Sequence, residues 1–344
     1  MDRRTLLKSG AALGLAGGAV ALQGAGSASA ASAMKWRMAN LYPRGTSFAV
    51  AYDKFAKNVG TLTGGRLTVD MLYDGEGVSA TEILSATRTG LVEMGAPYMA
   101  LHAGELPAGV VELGLPGAPT TLAELLALFD ETDFGKVLGE AYASIGIHRM
   151  APLFQPGVYL ITKQPIKSVS DLKGLTLRSP GGYGKFVEQF GAKPVSMAFS
   201  EGYTSLATGV IDGAASSNLI DYRDGSWYEQ APYICPHPLT GAQVAPTIVN
   251  KGKFDALPDD LKAILEMASL AHGIDQANKS TMWVSDAVNQ MLAKGMKWGP
   301  TLSADDQKKW AAAGDAVLEE YAKGDDFSKR LVQIQRDFVK KMHG

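Results

Sequence analysis

Residues 36–41 alternate weakly between apolar and polar side chains and predict a first strand. Residues 47–59 place Phe48, Tyr52, Phe55, Ala56 and Val59 at helical spacing, which predicts an amphipathic helix. Gly64 and Gly65 then break the chain. Residues 67–73 return to a strand, residues 81–89 to a helix stopped by Gly90, and residues 91–94 to a short strand. Such an alternation calls for crossover connections and a mostly parallel sheet, so the class is α/β.

After Gly146 the pattern restarts. Residues 157–162 read as a strand, 169–174 as a capped turn, 175–178 as a strand and 179–184 as a glycine-rich loop. Residues 185–190 read as a short helix, 193–197 as a strand, and 200–208 as a helix stopped by Gly209, with a strand beginning at 210–212. Two segments echo each other: Thr-Gly-Leu-Val-Glu-Met-Gly-Ala at 89–96 and Thr-Gly-Val-Ile-Asp-Gly-Ala-Ala at 208–215. Each is a helix end, a glycine free to take positive φ, and a strand. They read as equivalent elements of two similar lobes. The last part is helical: a long pattern over 259–295, a helix from Ser303 with Asp305 and Asp306 in its first turn, and an amphipathic helix over 325–342. No Pro-rich linker separates the lobes, so short crossings must join them.

The first residues form a distinct segment. Arg3 and Arg4, followed by Leu6, Leu7 and Lys8, match a twin-arginine export signal, and no charge occurs between Lys8 and Lys35. The stretch ends in two small-x-small sites, so cleavage is expected after Ala30 or Ala33. Its apolar density is too low for a membrane span, so residues 1–33 are expected to be a signal peptide and the mature chain a periplasmic protein. The 344 residues suffice for two lobes, and the formal net charge is −2. Removing the signal takes away three cations and one anion, leaving about −4. A mildly acidic protein has no bulk attraction for nucleic acid, so an anionic ligand would need a locally placed cation. The single cysteine, Cys235, allows no internal disulfide and reads as a small buried side chain.

Catalytic patterns are missing. The five histidines form no metal-binding pair, and His102 with Glu105 is a lone His-x-x-Glu. There is no Gly-x-Ser-x-Gly elbow, and Lys185 is followed by Phe186 rather than Ser or Thr, so the glycines at 181–184 do not make a nucleotide loop. The informative residue is Arg178, at the C-terminal end of a predicted strand, the edge where open α/β sheets bind ligands. Its planar fork suits a carboxylate. A following helix N-terminus could add backbone donors.

The words Leu-Lys-Gly-Leu-Thr-Leu-Arg-Ser-Pro (172–180), Phe-Gly-Ala-Lys-Pro-Val-Ser-Met (190–197) and Phe-Ser-Glu-Gly-Tyr-Thr-Ser-Leu-Ala-Thr-Gly-Val-Ile-Asp-Gly (199–213) resemble the solute-binding proteins of tripartite ATP-independent periplasmic (TRAP) transporters, over essentially the whole mature chain. The resemblance implies a two-lobed periplasmic binding protein fold with long C-terminal helices and no enzymatic activity. Lobe I would take 34–155 plus about 245–283, and lobe II 156–244 plus about 284–312. Residues 313–344 would be helices packed on the lobes. It also implies capture of a small organic anion (a carboxylate, an oxo acid or a sulfonate), partnership with a small and a large membrane subunit, and a monomer needing no cofactor. By the same resemblance Arg178 clamps the carboxylate and Asn218 assists. Gln155 matches a ligand-contacting Gln of a 2-oxo-acid-binding branch. Tyr98 and Phe199 are candidate walls, while Tyr222 and Trp227 read as core. That branch's metal-holding pair would fall near Ala215 and Ser216, which cannot serve, so no bound metal is expected. A sensory ligand-binding protein fits the same resemblance. An exported enzyme would need a nucleophile or base that the sequence does not supply.

Overall fold

A computed structural model describes residues 33–115, 119 and 121–343. The expected export signal lies outside these residues, apart from Ala33. Thirteen strands occur among the described residues: β1 (Met34–Asn40), β2 (Leu67–Leu72), β3 (Met94–Ala96), β4 (Ile147–Arg149), β5 (Leu153–Pro156), β6 (Tyr159–Thr162), β7 (Thr176–Arg178), β8 (Lys193–Val195), β9 (Gly213–Ser217), β10 (Tyr233–Ile234), β11 (Ala242–Ala245), β12 (Ile248–Asn250) and β13 (Lys297–Trp298). They make a five-stranded sheet in the order β2-β1-β3-β12-β4 and a six-stranded sheet in the order β13-β10-β6-β9-β7-β8. A separate two-stranded ribbon pairs β11 with β5. The fold is the expected two-lobed α/β class, one sheet per lobe.

Each sheet is mixed. β1 runs parallel to β2 and β3, and β7 parallel to β8 and β9, as crossover helices require. Strands at the crossings run the other way: β12, which returns the chain to the five-stranded sheet, is antiparallel to β3 and β4, and β6, which first enters the six-stranded sheet, is antiparallel to β9 and β10.

The internal echo is structural. The helix Ile83–Thr89 ends on Gly90 at φ 78°, ψ 16°, and the helix Gly202–Thr208 ends on Gly209 at φ 78°, ψ 14°. Each glycine leads into a strand, β3 or β9, that lies parallel to a preceding strand. The left-handed cap is open to glycine without a Cβ penalty, which is why the sequence repeats it.

The 35-residue helix Asp259–Ala293 spans the molecule, about 52 Å at 1.5 Å per residue. Its first half buries Leu261 and Leu265 in the main core, and Gly273 lets the Pro152 carbonyl approach, since a Cβ there would sit 2.4 Å from that oxygen. Its last turn puts Met291 into a second cluster with Tyr222, Trp227 and Ile234 beneath the six-stranded sheet. One helix thus ties both lobes. The helices Ala304–Ala322 and Asp326–His343 close the chain over the core through Trp310, Val317, Leu331 and Phe338.

Candidate functional site

Arg178 ends β7, where its strand's carboxyl edge meets the seam between the lobes. Only 2 % of its surface is exposed. Its Nε donates to the Met197 carbonyl (3.2 Å) and its Nη1 to Ser216 Oγ (2.6 Å) on the neighbouring β9, while Nη2 makes no hydrogen bond among the described residues. The guanidinium lies 5.3 Å from the Trp227 ring centre and 6.0 Å from that of Tyr98. Burial pushes its pKa down, because the desolvation of the charge outweighs the opposing influence of Tyr98, Tyr222, Asp221 and Asp74. A buried guanidinium with a free nitrogen and aromatic walls has the chemistry to receive a planar anion.

The seam encloses a cavity lined by Tyr42, Tyr98, Gln155, Arg178, Phe199, Ser216, Ser217, Asp221 and Gln243, with Leu41, Leu113 and Ala245. It leaves about 20 Å³ of room for the centre of a water-sized molecule, little more than one such sphere. A wider depression of about 380 Å³ borders Lys163, Lys167, Asp171 and Asp212 at the surface, but it holds no buried charge.

Four of the five residues singled out from the sequence meet here. Tyr98 comes from the five-stranded lobe, and its hydroxyl crosses the seam to donate to the Ser216 carbonyl at 2.7 Å. Gln155 sits in β5, and its Nε2 donates to Tyr42 Oη at 2.6 Å. Phe199 stacks on Trp227 with ring centres 4.9 Å apart. The ring of Trp227 can lie there because Gly202 has no side chain: a Cβ at that position would fall 1.9 Å from the indole. Asn218 is placed differently. It caps the helix Leu219–Asp224, its Oδ1 accepting from the Ile220 and Asp221 amides at 3.0 and 3.1 Å and its Nδ2 donating to Asp221 Oδ2 at 2.8 Å. It positions Asp221 and does not line the cavity. A strand-to-helix turn needs a side-chain acceptor at its first position, and Asn supplies one.

Tyr42, Ser217, Asp221 and Gln243 also line the cavity, and sequence reasoning passed over them. Gln243 left a trace: it is a lone amide in a strand of small apolar residues, and Gln155 is another in the strand that pairs with it. Burial, followed by the nearby Asp224 charge, raises the Asp221 carboxyl well above the usual carboxylate range. Elsewhere, Cys235 is buried with its thiol pushed up to about 11, and His102 is held by Glu105 at 3.0 Å.

Comparisons with known proteins match this architecture. Residues 38–325 match the model of the family described as bacterial extracellular solute-binding protein, family 7, DctP. The chain belongs to this DctP family. Its members are binding proteins rather than enzymes. A monocarboxylate 2-oxoacid-binding periplasmic protein of Nostoc sp. is 24 % identical over 90 % of this chain and 85 % of that protein. Among solved structures, a TRAP periplasmic solute-binding protein of Pseudoalteromonas atlantica, with sodium and pyruvate bound, superposes with a TM-score of 0.84. It shows 24 % identity over 90 % of this chain and 95 % of that one. Another from Colwellia psychrerythraea, with calcium and pyruvate bound, gives 0.83 at 23 % identity over 90 % and 95 %. These two likenesses concern the fold.

Among the described residues, the cavity wall carries neutral oxygens on Tyr42, Gln155, Ser216, Ser217 and Gln243 and one carboxyl. Its single carboxyl, Asp221, is bonded to Asn218 and favoured in the neutral form by burial, whereas calcium takes six to eight oxygen ligands.

Proposed function

We propose that this DctP-family protein is the periplasmic solute-binding subunit of a TRAP transporter and captures a small organic anion, a carboxylate above all, on Arg178. The observation that carries the reading is a fully buried guanidinium with an unbonded Nη2, facing a cavity with no carboxylate paired to it. The name of the Nostoc relative, which specifies 2-oxo monocarboxylates, supports it. Lobe I, built on 34–155 with about 245–283, and lobe II, built on 156–244 with about 284–312, would part to admit the ligand and close to bury it. Residues 313–344 would pack across them. Closure removes water around the ion pair and strengthens it, because the same charges interact more strongly at lower dielectric. Export by the twin-arginine signal and docking of the closed form on a small and a large membrane subunit complete the proposal.

In this scheme Arg178 and Ser216 hold the carboxylate, Tyr98 and Phe199 wall it, and Gln155 with Tyr42 closes the far side. The test is calorimetry and thermal shift of the mature protein against small monocarboxylates, 2-oxo acids, dicarboxylates and sulfonates. At least one small monocarboxylate should bind and raise the melting temperature. A protein that responds to none of these anions would refute the assignment.

A further inference from the structure

The helix Ser47–Leu62 has no cap of its own. The Thr46 side chain before it accepts no hydrogen bond from the helix, and no acidic residue lies in its first turn. The first amides of a helix have no partner within it. Here one is met from the other lobe: the Ser47 amide donates to Asp224 Oδ2 at 2.6 Å. Ser47 follows β1 of the five-stranded sheet, whereas Asp224 ends the helix Leu219–Asp224, which follows β9 of the six-stranded one. Arg223 closes the contact from its other side. Its Nε and Nη2 hold Asp224 Oδ1 at 2.8 and 2.7 Å, and Nη2 also donates to Ser47 Oγ at 2.7 Å. The side chains of Arg223 and Asp224 are 20 % and 10 % exposed, so little water competes for these bonds. Other bonds across the seam are weaker. Tyr98 and Tyr183 donate to neutral carbonyls, and the Ser200 amide reaches Asp74 Oδ2 only at 3.4 Å. A charge-assisted bond is about twice as strong as a neutral one, which singles out Asp224.

We propose that Asp224 is a latch that caps the helix of the opposite lobe, holds the closed form together and sets how long a bound anion stays. This rests on the two-lobed capture reading and deepens it. The latch is joined to the cavity through one short helix. Asp221, three residues before Asp224, lies on the cavity wall, and Asn218 caps the same helix at its start. Between them the Tyr222 hydroxyl accepts from the Ser217 amide at 3.3 Å and ties the helix to β9. The wall therefore cannot withdraw from the cavity without drawing Asp224 away from Ser47. Opening then leaves the Ser47 amide and Asp224 to water. The kinetic consequence follows from the order of events. A ligand meets an open protein in which this bond is unmade, so the bond cannot speed capture. It must break before the ligand leaves, so its strength falls on the dissociation rate.

The experiment uses Ser47→Pro, which removes the donated amide hydrogen and keeps the helix. Ser47 is the first helical residue, where proline is tolerated. Thr46 already has the extended backbone, φ −69° and ψ 158°, that a following proline demands. Asp224→Asn, which keeps the size and removes the charge, serves as a second variant. Two quantities are read on the mature protein. Pulsed electron paramagnetic resonance gives the distance between spin labels at Lys57→Cys and Glu188→Cys, exposed positions one on each lobe, without ligand and with 2-oxopropanoate. Stopped-flow tryptophan fluorescence gives the rates for 2-oxopropanoate, since Trp227 stacks on Phe199 of the cavity wall. Both variants should release the anion about tenfold faster and capture it at a rate within about twofold of wild type. Without ligand, both should lose the closed distance that part of the wild-type population keeps. A wild-type release rate in Ser47→Pro overturns the inference, as does a loss of affinity carried by capture. Ligand-free distances that are the same in wild type and variants also overturn it. If neither 2-oxopropanoate nor any anion of the wider set binds the wild type, the organic-acid reading falls, and the ligand-free distances alone decide the latch.

Discussion

Replacing Arg178 by Met should have effects of opposite sign on binding and on the stability of the ligand-free protein. Methionine keeps most of the buried stem and removes the guanidinium. On the binding side, truncating one partner of a buried, hydrogen-bonded charge pair costs about 2–5 kcal/mol. At about 1.4 kcal/mol per decade this is a loss of roughly thirty- to several-thousandfold in Kd. On the stability side, the unliganded protein holds a cation that is 2 % exposed and depressed in pKa by burial, with only a carbonyl and a hydroxyl as partners. Substituting apolar groups for buried charges is often neutral or stabilising by about 1–4 kcal/mol. The introduced thioether would also pack on the Trp227 and Tyr98 rings that the guanidinium now approaches. The ligand-free variant should therefore melt at or above the wild-type temperature, and added carboxylate should no longer raise it. Calorimetric titration gives the first quantity, and urea unfolding with and without ligand gives the second. A variant that binds within threefold of wild type refutes the clamp. A variant that loses binding and also loses several kcal/mol of ligand-free stability shows that Arg178 is chiefly structural.

Two further outcomes concern the frame of the site. Gly202→Ala should destabilise the fold by about 1–3 kcal/mol and weaken binding, because the new methyl would lie 1.9 Å from Trp227, which supports Phe199 and Arg178; wild-type stability in chemical denaturation would disprove the close contact. His272 is held down to about 4 by burial between Tyr52 and Phe55, with its Nε2 unbonded. The unfolded chain then binds the extra proton between about pH 6.5 and 4, so this stability is present above about 6.5 and fades as the pH falls towards 4. At about 1.36 kcal/mol per pH unit the loss approaches 3 kcal/mol, and His272→Leu should flatten that limb in pH-dependent melting. An equally steep limb in the variant would assign it to other groups.

The sequence is most legible where one residue type has one physical reason to be present. Gly90 and Gly209 announce two equivalent helix ends because the left-handed cap strongly favours glycine. Arg178 stands out only beside the words that resemble the family, since an arginine alone is usually a surface or salt-bridged one; the structure puts it on the cavity wall. The glycines at 181–184 mislead, since three glycines in four residues read as a loop. Their helix starts at Gly181 all the same. They are small because of what presses on them: a Cβ at Gly182 would meet Leu115 at 2.2 Å, and one at Gly184 the Ser179 carbonyl at 2.5 Å. That reason is tertiary, so no local pattern carries it. Asn218 follows the same logic in reverse. Its place beside the site is readable, but an asparagine that caps a helix and one that touches a ligand look identical until the turn is seen. Gln155 and Gln243 face one another only because two strands 88 positions apart pair in one register.

The same long-range contacts bear on how closing could depend on a ligand. Across the seam, the Ser47 amide at the start of the helix Ser47–Leu62 donates to Asp224 Oδ2 at 2.6 Å, and Arg223 Nη2 donates to Ser47 Oγ at 2.7 Å. The Asp224 carboxylate therefore sits at the positive end of a 16-residue helix, where it is worth about 0.3–1 kcal/mol. Tyr98 and Tyr183 add hydroxyl bonds to the carbonyls of Ser216 and Gly114. Each is a modest net gain of about 0.5–1.5 kcal/mol. Against them stand the desolvated Arg178 and the unbonded Gln243, both of which opening would expose to water. On the proposed reading, closure without ligand sets latches at the rim against unsatisfied groups at the centre. On the proposed reading, an anion that bonds to Arg178 removes the largest opposing contribution. Occupancy then shifts the lobes because the ligand acts on the one group that closure leaves least satisfied.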